Sequence, residues 1–102
     1  MPVNKVWQYQ PVKASWDKDE DREVCTFYFY IGDVSPIRIK KESWRDTYDV
    51  QVYSKDAYAL SFRYGADFSS FKADSLESAK FKSLVVARLA GWDITDEDMK
   101  SW

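Results

Sequence analysis

Val24-Cys25-Thr26-Phe27-Tyr28-Phe29-Tyr30-Ile31 is the stretch on which the fold turns. Seven of its eight residues are β-branched or aromatic, the side chains that pack best on a pleated surface, so the segment reads as a strand. Successive strand residues point to opposite faces. Cys25, Phe27, Phe29 and Ile31 therefore share an apolar side that meets a core. Thr26, Tyr28 and Tyr30 share a hydroxyl-bearing side that meets water.

The same parity extends in both directions. Gly32-Asp33-Val34-Ser35-Pro36 supplies turn chemistry, after which Ile37-Arg38-Ile39-Lys40 alternates with both isoleucines inward. Thr47 to Tyr53 places Tyr48, Val50 and Val52 inward, and Ser54-Lys55-Asp56 is short enough to close a hairpin onto a further strand, Ala57 to Tyr64. Toward the N-terminus, Val3 to Val12 sets Val6, Gln8, Gln10 and Val12 against Lys5, Trp7 and Tyr9, a strand whose inward face is ambiguous. Pro11 suits an edge position, where a missing amide donor costs nothing. Links this short pair neighbouring strands antiparallel.

From Asp74 the period becomes helical. Asp74 is placed to cap a helix over residues 75–90 with Glu77 three positions on, and Gly91 to end it in a left-handed turn. The second half, Leu84 to Ala90, is apolar on nearly every side, more than packing on one sheet requires. Thr95 with Asp98 repeats the cap signal and Ile94 with Met99 has staple spacing, so a short terminal helix is expected to lay Ile94, Met99 or Trp102 over the main one. The fold expected is α+β: an antiparallel sheet of four to five strands with one C-terminal helix packed on one face and a short terminal helix. With 102 residues, 45% hydrophobic and 31% charged, and no Pro-, Gly- or Ser-rich linker, the chain is one domain spanning 1–102.

Composition narrows the chemistry. There is no histidine, which removes imidazole acid/base catalysis, Ser-His and Cys-His nucleophiles and His-containing zinc sites. Three scattered glycines form neither a P-loop nor a dinucleotide fingerprint. Asp17, Asp19 and Asp21 repeat the first spacing of a calcium loop, but Arg22 stands where the loop needs glycine and Tyr28 where it needs a bidentate glutamate. The reading is a non-enzyme with neither cofactor nor metal. The single cysteine, Cys25, permits no intrachain disulfide and reads as a buried structural thiol, which makes a reducing, cytoplasmic location the expectation. No apolar run approaches the about 20 residues that span a bilayer, so no membrane partner is expected.

Charge is polarised along the chain. Residues 17–23 hold five acids against two bases and residues 93–102 four against one, while residues 37–45 hold four bases against one acid. The outward sheet face collects Tyr28, Tyr30, Arg38, Lys40, Tyr53 and Arg63. Trp44, inside the basic stretch, is a candidate interface anchor. Tyrosine mixed with arginine suits a protein interface, and rings interleaved with cations also suit single-stranded nucleic acid. The acids Asp17, Asp19, Glu20, Asp21, Asp96, Glu97 and Asp98 suit a basic partner surface, including one that normally holds nucleic acid.

The piece from Tyr58 to Leu89, running into Ser75-Leu76-Glu77-Ser78-Ala79-Lys80, resembles the strand-then-helix ending of small phage and bacterial proteins, and also the end of double-stranded RNA-binding domains. In size, acidity and aromatic content the chain is similar to phage-encoded accessory proteins, including anti-CRISPR inhibitors. That resemblance implies a binding protein that inhibits a nucleic-acid-handling partner. Two further expectations stand beside it: a single-strand nucleic acid binder using the Tyr/Arg/Lys face, and a homo-oligomer whose open sheet face joins subunits.

Overall fold

The computed structural model describes residues 4–13, 23–55 and 67–100. It contains β1 (Lys5–Lys13), β2 (Glu23–Ile31), β3 (Val34–Glu42), β4 (Tyr48–Tyr53), β5 (Asp67–Ala73) and α1 (Leu76–Leu89). The strands form one antiparallel meander in the order β1-β2-β3-β4-β5, and α1 packs on one of its faces, chiefly over β4 with β3 and β5 beside it. This is the expected α+β arrangement.

The parity of the founding strand holds through the sheet. Phe29 pairs with Ile37 and Ile37 with Val52; Phe27 pairs with Ile39 and Ile39 with Val50. Directly opposed residues share a face, so these rungs build one continuous apolar surface. Phe29, Ile37, Ile39, Val50 and Val52 are buried there against Ala79, Leu84 and Ala87 of α1. The ambiguity of β1 resolves the same way, because Trp7 lies opposite Phe29 and Tyr9 opposite Phe27. Trp7 packs against the core and its ring lies 4.9 Å from that of Phe29. Among the described residues β1 is an edge strand, the position that suits Pro11.

The β2–β3 hairpin is tighter than its composition suggested. Ile31 pairs with Val34, leaving Gly32 and Asp33 as a two-residue loop, and Gly32 has φ 65°, the positive value a II′ hairpin needs at its first position. Strand β3 thus begins at Val34 and takes in Pro36, which is buried.

Two boundaries differ from expectation. The partner of β4 on the side away from β3 is Asp67–Ala73, in register through Val50 with Phe71 and Gln51 with Ser70. That edge of β4 is therefore closed to a hairpin through Ser54-Lys55-Asp56; residues 57–64 themselves lie outside the described residues. The helix cap is Ser75 rather than Asp74. Core packing of β5 runs through Ala73, and the first helical turn closes by Ala79 N–H donating to the Ser75 carbonyl (2.9 Å) while the Ser75 hydroxyl accepts from Ser78 N–H (3.1 Å). Glu77 remains in the first turn, where a carboxylate faces the positive end of the helix.

The C-terminus of α1 is a Schellman turn. Trp92 N–H donates to the Ala87 carbonyl (3.1 Å) and Gly91 N–H to that of Arg88 (3.2 Å), with Gly91 at φ 99°. A Cβ at Gly91 would meet only the Lys55 Cβ at 3.5 Å, an ordinary contact, so any penalty comes from the left-handed backbone. Gly91→Ala is expected to lower stability by about 1–2 kcal/mol, read from the urea midpoint, and an unchanged midpoint would contradict this assignment.

Beyond the helix, Trp92 and Ile94 are buried and Met99 packs on the core. The expected cap forms: the Thr95 hydroxyl accepts from Asp98 N–H (3.2 Å) and the Asp98 carboxylate accepts from Thr95 N–H (2.8 Å). Residues 96–100 follow it as turns without becoming a regular helix, and Trp102 lies outside the described residues. The tail covers only part of the apolar helix: Leu89 stays 75% exposed and Phe81 47%.

Candidate functional site

The face of the sheet opposite α1 carries two polar rungs. One runs Tyr28–Arg38–Gln51–Ser70 across β2 to β5, and the next runs Thr26–Lys40–Asp49–Lys72. Strands lie about 4.8 Å apart, so the charges of the second rung alternate in sign at neighbouring-strand spacing. Arg38, Lys40, Asp49, Gln51, Ser70 and Lys72, with Phe71 at the edge, line a groove of about 340 Å³. Three cations face one carboxylate inside it.

Its walls are partly fixed. The Arg38 guanidinium donates to Gln51 Oε1, and Lys40 pairs with Glu42 at 3.1 Å. Tyr28 and Tyr30 stand beside the groove on the same face with ring centroids 6.1 Å apart at 45°, both half-buried. Tyr53 is also half-buried, and its carbonyl accepts from Trp92 Nε1 at 2.6 Å. The sequence-derived residues Tyr28, Tyr30, Arg38 and Lys40 thus share one face, while Tyr53 stands at the end of β4 past a register shift. Arg63 lies outside the described residues.

Trp44 stands apart in the β3–β4 turn, 44% exposed. The basic residues around it are engaged within the turn: Arg45 pairs with Glu42 at 3.0 Å, while the Lys41 ammonium donates to the Glu42 carbonyl (2.8 Å) and the Arg45 carbonyl and lies 5.9 Å from the Tyr48 ring centroid. The basic run of the sequence is therefore divided between groove and turn.

The acidic tail is engaged internally. Asp96 pairs with Arg88 at 2.9 Å, and Asp98 accepts from the Lys5 ammonium at 2.7 Å besides closing its cap. Of the tail acids expected to meet a partner, Asp98 is a fastener between β1 and the C-terminus, Asp96 is held by the helix, and Glu97 is exposed. Asp17, Asp19, Glu20 and Asp21 lie outside the described residues.

Burial pushes the Asp98 carboxyl up, but the Lys5 ammonium, the Thr95 amide and the Thr95 hydroxyl outweigh it and hold the group below its ordinary value. Such a carboxylate stabilises the fold fully above its unfolded pKa, near 3.9, and that contribution fades as the pH falls through the lower folded value. Urea midpoints should fall more steeply on acidification for the wild type than for Asp98→Asn. Parallel acid limbs would exclude this role.

Ser70, Lys72 and Asp49 were not singled out from the sequence. Asp49 was legible from the alternation of β4; Ser70 and Lys72 were hidden because Ala57 to Tyr64 has much the stronger strand composition. Cys25, expected to be buried, is half-buried with its Sγ 3.0 Å from the Tyr9 hydroxyl, because β2 runs on past the cover of the helix. Among the described residues no helix is long and apolar enough to cross a membrane. No family model, curated protein or solved structure matches the chain.

Proposed function

We propose that this chain is a non-enzymatic binding protein that docks on a protein partner through the outward face of its sheet and acts by covering the surface it binds. The observation that supports the reading is the groove: Arg38, Lys40 and Lys72 around Asp49, with Tyr28 and Tyr30 alongside. Arginine and tyrosine anchor interfaces, and a groove with cations in excess selects a predominantly acidic partner surface. Asp49 favours protein over nucleic acid. A phosphate backbone presents one sign of charge and would meet this carboxylate between Lys40 and Lys72, whereas a protein surface offers a cation for it. The net charge of −2 weighs the same way.

Single-stranded nucleic acid is the second reading, favoured by the two tyrosine rings beside the cations. Two measurements separate them. A partner protein captured from native cells should be lost with an Arg38→Glu, Lys72→Glu variant that keeps its urea midpoint; recovery of the same partner by that variant overturns the leading reading. Salt-sensitive binding of a mixed-sequence single-stranded oligonucleotide, abolished by the same variant, would establish the second.

A further inference from the structure

The inward face of the sheet is wider than the helix. Helix α1 packs chiefly over β3, β4 and β5, and beyond Phe29 and Trp7 the stretch of β1 and β2 around Tyr9 and Cys25 carries the same face past its main cover. Trp7, Tyr9, Cys25 and Phe27 lie there, with Tyr9 52% exposed and its ring 4.8 Å from that of Phe27. Three further observations fall on this shelf. Among the described residues β1 has a neighbour only in β2, so alternate amides and carbonyls of Lys5–Lys13 point away from the sheet. Trp7 Nε1 is buried with no acceptor among the described residues, a rare condition for an indole N–H. The Lys80 ammonium sits 5.2 Å from the Trp7 ring centroid and 5.7 Å from that of Phe27, and meets no carboxylate or carbonyl among the described residues. Burial lowers the pKa of that amine. Lys5, the other cation of this face, is already held by Asp98 and Asp93.

We propose that the β1 edge and this aromatic shelf form a second docking site, separate from the polar groove, for an extended acidic peptide segment of a partner protein that adds as a strand to β1. The β1 edge, unpaired among the described residues, supplies backbone pairing, the mode by which extended peptides gain affinity from an open sheet. Tyr9 and Phe27 take an apolar side chain. Lys80, half-withdrawn from water over two rings, takes a carboxylate, and in that setting the charge complementarity is stronger than at an open surface. Side chains two residues apart lie on one face of a strand, so the segment carries its acid and its apolar residue at that spacing. Pro11 removes a donor from the far end of the edge and confines pairing to the part near Trp7 and Tyr9.

A displayed library of random linear peptides, selected on the full-length protein, tests this directly. Enrichment of an acidic residue two positions from an apolar one is expected. Synthetic copies should lose about tenfold in affinity or more to Lys80→Gln, recover with Lys80→Arg, and be indifferent to Lys72→Glu on the opposite face. Amide shifts on peptide binding should centre on Lys5 to Gln10. Absence of an enriched acidic motif, equal affinity for Lys80→Gln, or shifts centred on α1 or the groove would each overturn the proposal. Because the groove variants and the Lys80 variants are separate, either docking site can fail while the other stands.

Discussion

Trp92→Ala should be among the most damaging single substitutions in the molecule, lowering stability by about 3–5 kcal/mol. Trp92 has 9% of its surface exposed and does three things from one position. Its amide closes the Schellman turn on Ala87, its ring joins the core, and its indole N–H donates to the Tyr53 carbonyl at 2.6 Å, fastening the end of α1 to the end of β4. Lys55 N–H adds a bond to the Ala90 carbonyl at 3.1 Å in the same corner. Truncation leaves the amide in place, so the loss measures packing and the indole bond together. Trp92→Phe separates them: it retains most of the ring and forfeits the hydrogen bond, which is worth about 0.5–1.5 kcal/mol. For a domain of this size each kcal/mol moves the melting temperature by about 4–8 °C, so thermal unfolding followed by far-ultraviolet circular dichroism resolves both variants. A loss below about 1 kcal/mol for Trp92→Ala would mean that the tail does not hold the helix on the sheet.

The corner that Trp92 builds also shows where sequence reasoning runs out. Parity in β2, β3 and β4 was legible because each strand segregates large apolar residues from polar ones: Ile37 and Ile39 against Arg38 and Lys40 admit one inward face. Strand β1 was not, because its two faces offer Val6 and Gln8 against Trp7 and Tyr9, and both are mixed. Only pairing with Phe29 and Phe27 assigns Trp7 and Tyr9 inward, leaving Val6 40% exposed. Strand β5 was missed for another reason. Ser69, Phe71 and Ala73 make a weak apolar face whose strand state is imposed by pairing with Val52, Val50 and Tyr48 rather than by propensity. One wall of the groove was lost with it, since Ser70, Phe71 and Lys72 come from that strand. The tail acids show a different limit: charge clustering marks a solvated surface without showing that Lys5 and Arg88, remote in sequence from Asp98 and near in sequence to Asp96 respectively, engage two of the three.

Ile39 and Lys40 give the sharpest test of the face assignment, because they are adjacent in sequence and should respond in opposite ways. Ile39 has no exposed surface and lies between Phe27 and Val50, with α1 packed over the same face. Ile39→Ala removes three carbons from a dry, close-packed site and is expected to cost about 2–5 kcal/mol, the spread depending on how far its neighbours close the cavity. Lys40 lines the groove on the other side, paired with Glu42 at 3.1 Å and with 43% of its side chain exposed. A pair of that exposure contributes about 0–1 kcal/mol, so Lys40→Ala should leave the urea midpoint nearly where it was. Binding should invert the order. At a temperature where both variants are folded, Lys40→Ala should slow association with an acidic partner and flatten its salt dependence, because a groove cation steers encounter, while Ile39→Ala leaves both unchanged. The two measurements, midpoint and association rate, therefore cross between neighbouring residues. If Lys40→Ala proved as destabilising as Ile39→Ala, the face that carries Tyr28, Arg38 and Lys72 would be an interior, and no partner could dock there.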